Sequence, residues 1–317
     1  MPLILAHADI AALLDRRAVR QAMEFAHAEL AAGRFQNPAP QALPLPDNGS
    51  ALPMVAVAGD HVAVKLLTDL PSNRERGLPV QRSTIIITSA ITGECVAILD
   101  GRAITAMRTA ATSAVATKYL ALQESSVLGL IGAGNLAIEH AHAIADVRRL
   151  REIVVWSRTA ETLERFRART ESLDIPTRSA DSPESVLARS DIVCTLTPSR
   201  EPIVSGHWFR PGQHINAVGA PPRRDHREID SYGMKRARLV VDSHPTAMAK
   251  SGAVGLAIAE RAITEDDVRT ELGHIIIDPA LGRRSAADIT LYESVGLGLQ
   301  DLVTTQFVLA ALDQGVA

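Results

Sequence analysis

The stretch Gly132-Ala133-Gly134-Asn135-Leu136-Ala137 follows an apolar run, Ser126 to Ile131, and precedes a helix-patterned segment reaching about Arg149. A second apolar run, Ile153 to Ser157, comes next. Strand, Gly-x-Gly-x-x-Ala, helix, strand is the spacing of a dinucleotide-binding unit. Gly132 permits the tight turn. Gly134 lets backbone N–H groups approach a pyrophosphate, which lies on the positive end of the helix. Ala137 lets helix and strand pack closely. A bare Gly-x-Gly is weak evidence because glycines punctuate many turns; the flanking periodicity makes this one specific.

The end of the second strand bears on the cofactor. An Asp or Glu there suits the ribose 2′-hydroxyl of NAD, whereas a 2′-phosphate needs donors and positive charge. This chain has Ser157-Arg158-Thr159 and no acid, so NADP(H) is the preferred cofactor and NAD(H) a possible one. The plain alternative is that Arg158 merely caps a turn. Further parallel strands are expected at 191–196, 214–218 and 238–242. Loops beyond their carboxyl ends line the ligand crevice of such sheets, which puts Thr195, Thr197, Val218 and Gly219 beside the cofactor.

Two cations invite a second question. Of 33 basic residues only four are lysines, and Lys65 sits in the run His61 to Leu67 among Ala and Leu. Strand alternation puts Val62, Val64 and Leu66 on one face and Ala63, Lys65 and Leu67 on the other. An ammonium on a covered face needs an anion; an exposed edge-strand lysine that guards against aggregation is the alternative. Arg108 lies near the start of an Ala-rich helix, 103–122, with Thr105, Thr109 and Thr112 around it. A guanidinium, hydroxyls and a helix amino end together suit a carboxylate. A routine surface ion pair is the competing reading.

The elements that must position these groups follow from pattern. A chain of 317 residues with 46% apolar and 22% charged residues is long enough for two domains. Residues 9–32 read as one amphipathic helix with Leu14, Ala18, Ala22, Ala26 and Leu30 on its apolar face, stopped at Gly33. Prolines 38, 40, 44 and 46 then give an extended edge and a turn at Asp47-Asn48-Gly49. Strands at 54–58, 61–67, 84–88 and 95–99 make an antiparallel sheet. The last segment, 291–312, reads as a helix with Ser294 as a candidate cap. The expected fold class is α/β: a Rossmann-type doubly wound parallel sheet at 116–294, plus an N-terminal α+β substrate and dimerisation domain at 1–115 joined by the C-terminal helix, about 295–317.

Net charge of −3 gives no pull toward polyanions, so no nucleic-acid partner is expected. Cys95 and Cys194 read as two buried thiols of a reducing compartment, and the absence of a signal-type start or an apolar run of membrane length points to a cytoplasmic protein with no membrane partner. His140 and His142, two apart on a helix, cannot share a metal, and no metal is expected. Cys194 reads as packing. Arg148, Arg149 and Arg151, like Arg165, Arg167 and Arg169, read as solvated helix faces.

Taken in order, Val64-Lys65-Leu66 with Pro71-Ser72-Asn73, Gly93 to Gly101, Ile104 to Ala111, the glycine fingerprint, Asn216 to Ala220 with Arg227-Glu228, and Ser294-Val295-Gly296 resemble the ornithine cyclodeaminase/mu-crystallin family from about residue 10 onward. The resemblance implies a homodimer built through the N-terminal domains, a hydride passed between nicotinamide and the α-carbon of a small amino or imino acid, and a nicotinamide contact at Ser294.

There are two departures. Family members carry a further carboxylate-binding Arg after the first helix, where this chain has Pro40-Gln41. Cyclodeaminases also carry a catalytic Asp after the Asn-Ala-Val-Gly stretch, where it has Pro221-Pro222. Cyclodeamination needs a proton shuttle, whereas a protonated cyclic ketimine needs only a hydride. The leading expectation is therefore an NAD(P)H-dependent reductase of small cyclic imino acids, with Lys65, Arg108 and Thr109 at the substrate and Asp225 or His226 able to stand in for the lost Asp. The alternatives are an ornithine cyclodeaminase-type lyase with bound NAD, and a non-catalytic protein that binds NADPH and a carboxylated ligand.

Overall fold

A computed structural model describes residues 1–313 and 315. The chain forms two compact units, Met1–Arg108 with Gly296–Ala317 and Thr109–Val295.

The first unit contains β1 (Leu3–Leu5), α1 (His7–Leu13), α2 (Arg16–Ala31), β2 (Leu43–Leu45), β3 (Gly49–Ala58), β4 (His61–Asp69), β5 (Gln81–Ser89) and β6 (Cys95–Asp100). The helix α3 (Gly101–Leu120) starts here, and α11 (Gly298–Asp313) closes the chain. Six strands pair in the order β1-β6-β5-β4-β3-β2, all antiparallel except β1 on β6. Asp47 and Asn48 turn β2 into β3 with left-handed backbones, a conformation that Asx residues tolerate.

Register divides this sheet into rows. Met54, Lys65, Ile85, Leu99 and Leu5 form one row on the face covered by α11. The next row, Val55, Val64, Ile86, Ile98 and Ile4, lies on the opposite, open face, where Val64 and Ile86 are 36% and 39% exposed. Lys65 is thus on the covered face.

Three expectations for this unit need correction. The helix expected over 9–32 is two helices, because Leu14 is extended and Asp15 caps α2 by accepting from the Ala18 N–H at 2.7 Å. The buried face of α2 is Val19, Met23, Ala26 and His27, since the break resets the helical phase. Cys95 is exposed at the start of β6, so only Cys194 is a buried thiol.

The second unit runs β7 (Val127–Ile131), α4 (Asn135–Ala145), β8 (Glu152–Trp156), α5 (Ala160–Thr170), β9 (Thr177–Ser179), α6 (Pro183–Arg189), β10 (Ile192–Thr195), β11 (His214–Ala217), α7 (Ser231–Arg236), β12 (Arg238–Val241), α8 (His244–Lys250), α9 (Gly252–Ala259), α10 (Leu272–Ile277) and β13 (Thr290–Glu293). Seven strands pair in the order β12-β13-β11-β10-β7-β8-β9, all parallel. Order reverses at β7, as in a doubly wound sheet. The apolar runs of β7, β10 and β11 are buried along their whole length, as strands covered on both faces must be.

Here too the structure differs from expectation. Residues 291–293, assigned by pattern to the last helix, are the strand β13, inserted between β11 and β12. Gly296, with φ of +80°, stands ahead of α11, which begins at Gly298, so Ser294 does not cap it. Arg148 is not a solvated helix residue: it is buried and donates to the carbonyls of Thr117, Lys118, Ala121 and Leu122, satisfying the last turn of α3. His140 is buried and bonds Ser113 Oγ and the Leu136 carbonyl, a core role.

Candidate active site

In the first unit, β4 delivers Lys65 to an interior position where it is 1% exposed. Its Nζ donates to Thr105 Oγ1 at 2.7 Å and to Asp301 Oδ1 at 2.8 Å. Arg108 is the eighth residue of α3 and not at its amino end, as pattern had it, so the helix's first amides are not part of its surroundings. It is 5% exposed, places Nε 3.4 Å from the same Asp301 oxygen and donates from Nη1 to Gln300 Oε1 at 2.6 Å. Two cations therefore converge on one carboxylate whose other oxygen, Oδ2, has no hydrogen-bond partner among the described residues. Burial pushes the Lys65 ammonium down to about 8; Asp301 opposes that shift and the like charge of Arg108 adds to it. Thr109 and Thr112, which follow on α3, are buried and belong to the second unit.

Gly296 closes against this group. Its backbone has φ of +80°, and a β-carbon there would stand 2.9 Å from Arg108 Nη1 and 3.0 Å from Nη2. A side chain at 296 and the guanidinium compete for the same space.

In the second unit the glycine turn joins β7 to α4. Gly132 has φ of +109°, and a β-carbon on it would meet the Leu196 carbonyl at 2.8 Å. Space above Gly134 is open, with no atom within 4 Å of a β-carbon built there. Gly134 is also the N-cap of α4 and offers no side-chain acceptor, so the first amides of an eleven-residue helix face outward unsatisfied by a cap. Open space beside uncapped amides fits a pyrophosphate. Ala133 and Ala137 are buried, Asn135 is exposed and Leu136 packs against the core.

At the end of β8, Arg158 and Thr159 are exposed and Ser157 is half-buried. Thr159 caps α5, accepting from the Thr162 N–H at 3.4 Å. No hydrogen bond or ion pair engages the Arg158 side chain among the described residues.

The carboxyl-end loops of β10 and β11 are tied together by Glu228, which the sequence reading named within a family stretch without giving it a role. It accepts from Thr195 Oγ1 at 2.7 Å, from the Thr197 amide at 2.6 Å and hydroxyl at 2.7 Å, and from the Gly219 amide at 2.7 Å. Val218 donates to the Thr195 carbonyl at 3.2 Å. Thr195, Thr197, Val218 and Gly219 thus belong to one bonded group. Burial raises the Glu228 carboxyl, against the pull of the four hydrogen bonds. Two further buried acids end neighbouring strands. Glu293 accepts from Ser251 Oγ at 2.6 Å and is pushed up to about 8, chiefly by burial. Asp242 accepts from Ser294 Oγ at 3.2 Å and from the Val295 amide at 2.9 Å. The Ser294 hydroxyl is therefore engaged by Asp242. His226 lies on the loop after β11 with Nδ1 2.9 Å from Asp225 Oδ1, and Asp225 also pairs with Arg200 at 3.3 Å.

Sequence reading found Lys65 and Arg108 but missed Asp301, Gln300 and His27, which complete their surroundings. A signal was present: Asp301 sits between Leu299 and Leu302-Val303, an acid in an apolar helix and so an acid in need of a cation.

A parallel sheet whose glycine turn is open to a pyrophosphate, in a chain that also buries paired cations, is the architecture of nicotinamide-dependent oxidoreductases. The model of the Ornithine cyclodeaminase/mu-crystallin family matches residues 2–315, and the chain belongs to that family. It is 34% identical over 266 residues to the ketimine reductase mu-crystallin of Rattus norvegicus, covering 83% of this chain and 80% of that protein. The structure of Thermococcus litoralis Delta(1)-pyrroline-2-carboxylate reductase in complex with NADH and L-proline superposes with a TM-score of 0.93, at 34% identity over 99% of this chain and 98% of that one. An archaeal alanine dehydrogenase dimer with bound NAD gives 0.93 at 30% identity, covering 99% and 97%.

Proposed function

We propose that the protein is an NAD(P)H-dependent reductase of small cyclic imino acids of the pyrroline-2-carboxylate or piperideine-2-carboxylate type. One observation carries the reading: Lys65 and Arg108, both buried, converge on Asp301. Keeping two cations in the interior beside a single carboxylate is unfavourable unless an anion joins them, and a substrate carboxylate is such an anion. The names of the relatives support the choice, a ketimine reductase and a pyrroline-2-carboxylate reductase.

When bound, the dinucleotide supplies the hydride. The amides at the start of α4 and the space above Gly134 hold its pyrophosphate, and the Glu228-braced loops bearing Thr195, Thr197, Val218 and Gly219 flank it, with Ser294 on the nicotinamide side. Lys65 and Arg108 bind the substrate carboxylate by charge-assisted hydrogen bonds, with Thr109 beside Arg108 in sequence. Pro221-Pro222 offers no proton, which suits an imine that arrives protonated and requires only hydride at its C=N carbon. NADP(H) is the preferred form, because Ser157 and Arg158 offer a donor and a free cation where NAD-selective sites hold an acid, the Thr159 hydroxyl being engaged with Thr162. The protein works as a homodimer through the open apolar face of the first sheet.

Purified protein given NADPH or NADH with pyrroline-2-carboxylate should consume the reduced cofactor and form proline. Absence of consumption with either cofactor and with the six-membered analogue refutes the proposal. A second reading, an ornithine cyclodeaminase-type lyase, is favoured by the Asp225–His226 pair, a carboxylate and imidazole that can pass a proton. Ammonia and proline released from ornithine without net cofactor turnover would establish it.

A further inference from the structure

His27 and Gln300 are buried polar groups in the first unit with no task in the reaction as described. Gln300 Oε1 accepts from Arg108 Nη1 at 2.6 Å and from the Leu297 amide at 3.2 Å, while its Nε2 lies 3.1 Å from His27 Nε2. The direction of every bond in this run is forced. A guanidinium only donates, as does a backbone N–H, so the Gln300 atom facing both must be its oxygen. The amide nitrogen therefore faces His27 and donates to it. That requires a bare Nε2 on the ring and puts the ring proton on Nδ1, which has no hydrogen-bond partner among the described residues. Burial and the charge of Arg108 keep the imidazole neutral, pushing it down to about 4, so the ring remains an acceptor at ordinary pH.

Asp301 faces both cations, and Gln300 engages Arg108 alone. Asp301 gives its carboxylate to Lys65 at 2.8 Å and stands 3.4 Å from Arg108 Nε. Gln300 offers Arg108 a neutral oxygen, which orients a guanidinium without cancelling its charge. A carboxylate at 300 would orient it equally well and neutralise it.

We propose that Gln300 and His27 are positioning residues for the carboxylate site: His27 fixes the orientation of the Gln300 amide, and that amide fixes the Arg108 guanidinium for an incoming carboxylate. The identity of the ligand rests on the proposed function; the run of bonds does not, and the test separates the two.

The first arm records two-bond 1H–15N spectra of the full chain labelled with 15N-histidine, the His27 signals being assigned by their loss in His27→Gln. An Nδ1–H ring is expected for His27. An Nε2–H ring, or an imidazolium at neutral pH, means the amide is turned round and overturns the proposal. In the second arm, Gln300→Met and His27→Phe should raise KM for pyrroline-2-carboxylate roughly tenfold, the equivalent of one charge-assisted hydrogen bond. Their kcat and NADH affinity should stay within about twofold of the parent, since the lost bond acts on substrate binding. His27→Gln, whose side-chain oxygen can accept the same bond, should restore most of the loss. Unchanged KM in folded Gln300→Met and His27→Phe protein, or equal losses in KM, kcat and NADH affinity, refutes a positioning role. An Nδ1–H ring in a protein that reduces no imino acid supports the bonded run and removes the proposed activity instead.

Discussion

Gly296 and Arg108 occupy adjoining space so tightly that a single methyl group on the glycine would sit 2.9 Å from the guanidinium. The glycine also holds φ of +80°, where other residues are strained. Gly296→Ala should lower stability by about 1–3 kcal/mol through that backbone strain alone. It should also raise KM for the imino acid as Arg108 is displaced. Denaturant titration together with steady-state kinetics checks both, and a variant that is destabilised yet keeps its KM would show that Arg108 need not stand where it does.

Lys65 gives the pH dependence a definite sign. Its folded pKa, about 8, lies below the ordinary 10.5, so the unfolded chain holds more protons between those values and stability should rise as pH goes from about 8 toward 10.5. Activity should run the other way. Above about pH 8 the ammonium is lost, so kcat/KM for the anionic substrate should fall, since that ratio reports groups on the free enzyme. Lys65→Arg, charged throughout this range, should flatten the alkaline limb. A limb unchanged by Lys65→Arg would assign it to another group.

Gly134→Ala separates folding from cofactor binding. Gly134 has an ordinary φ of −76° and open space where a methyl group would go, so thermal stability should hold. The added methyl stands where a pyrophosphate must approach, and NADH and NADPH affinity should both fall by roughly tenfold or more, the equivalent of one or two charge-assisted hydrogen bonds. Fluorescence titration of the reduced cofactors measures this. Unchanged affinity would move the phosphates elsewhere.

Arg158→Ala bears on cofactor choice. NADPH binding should weaken roughly tenfold, the scale of one hydrogen bond to a charged group, while NADH binding changes little. Equal losses for the two would remove the 2′-phosphate from this residue.

The open row of the first sheet predicts association. Ile86→Lys and Leu66→Glu put charges onto an apolar face on which Ile86 and Leu66 are 39% and 45% exposed. Sedimentation velocity should show the parent at twice the chain mass and the double variant as a monomer. A parent that sediments as a monomer would refute the dimer outright.

Much of this was readable from local pattern. The β7–turn–α4–β8 unit is contiguous, so spacing alone identified it. Alternation along β4 separated Lys65 from Val64 and Leu66 because side-chain direction in a strand has period two, while the packing of α11 decided which face is covered. Boundaries failed where one local signal masked another: an unbroken apolar period hid the Asp15 cap, and an apolar run beside glycines hid the strand β13 in front of α11.

What the sequence by itself determined is the chemistry that each local stretch can offer: a turn for phosphates, a lysine set apart from the valines of its strand, an arginine in an alanine-rich helix. Only the tertiary structure decided what each of those groups meets. Asp301 lies 236 residues from Lys65, Gln300 lies 192 from Arg108, and Glu228 reaches across from position 228 to bind loops at 195, 197 and 219. The reason is physical: a buried charge needs a counter-group within a few ångströms, and distance along the chain carries no information about which residues the packing of helices onto sheets brings that close.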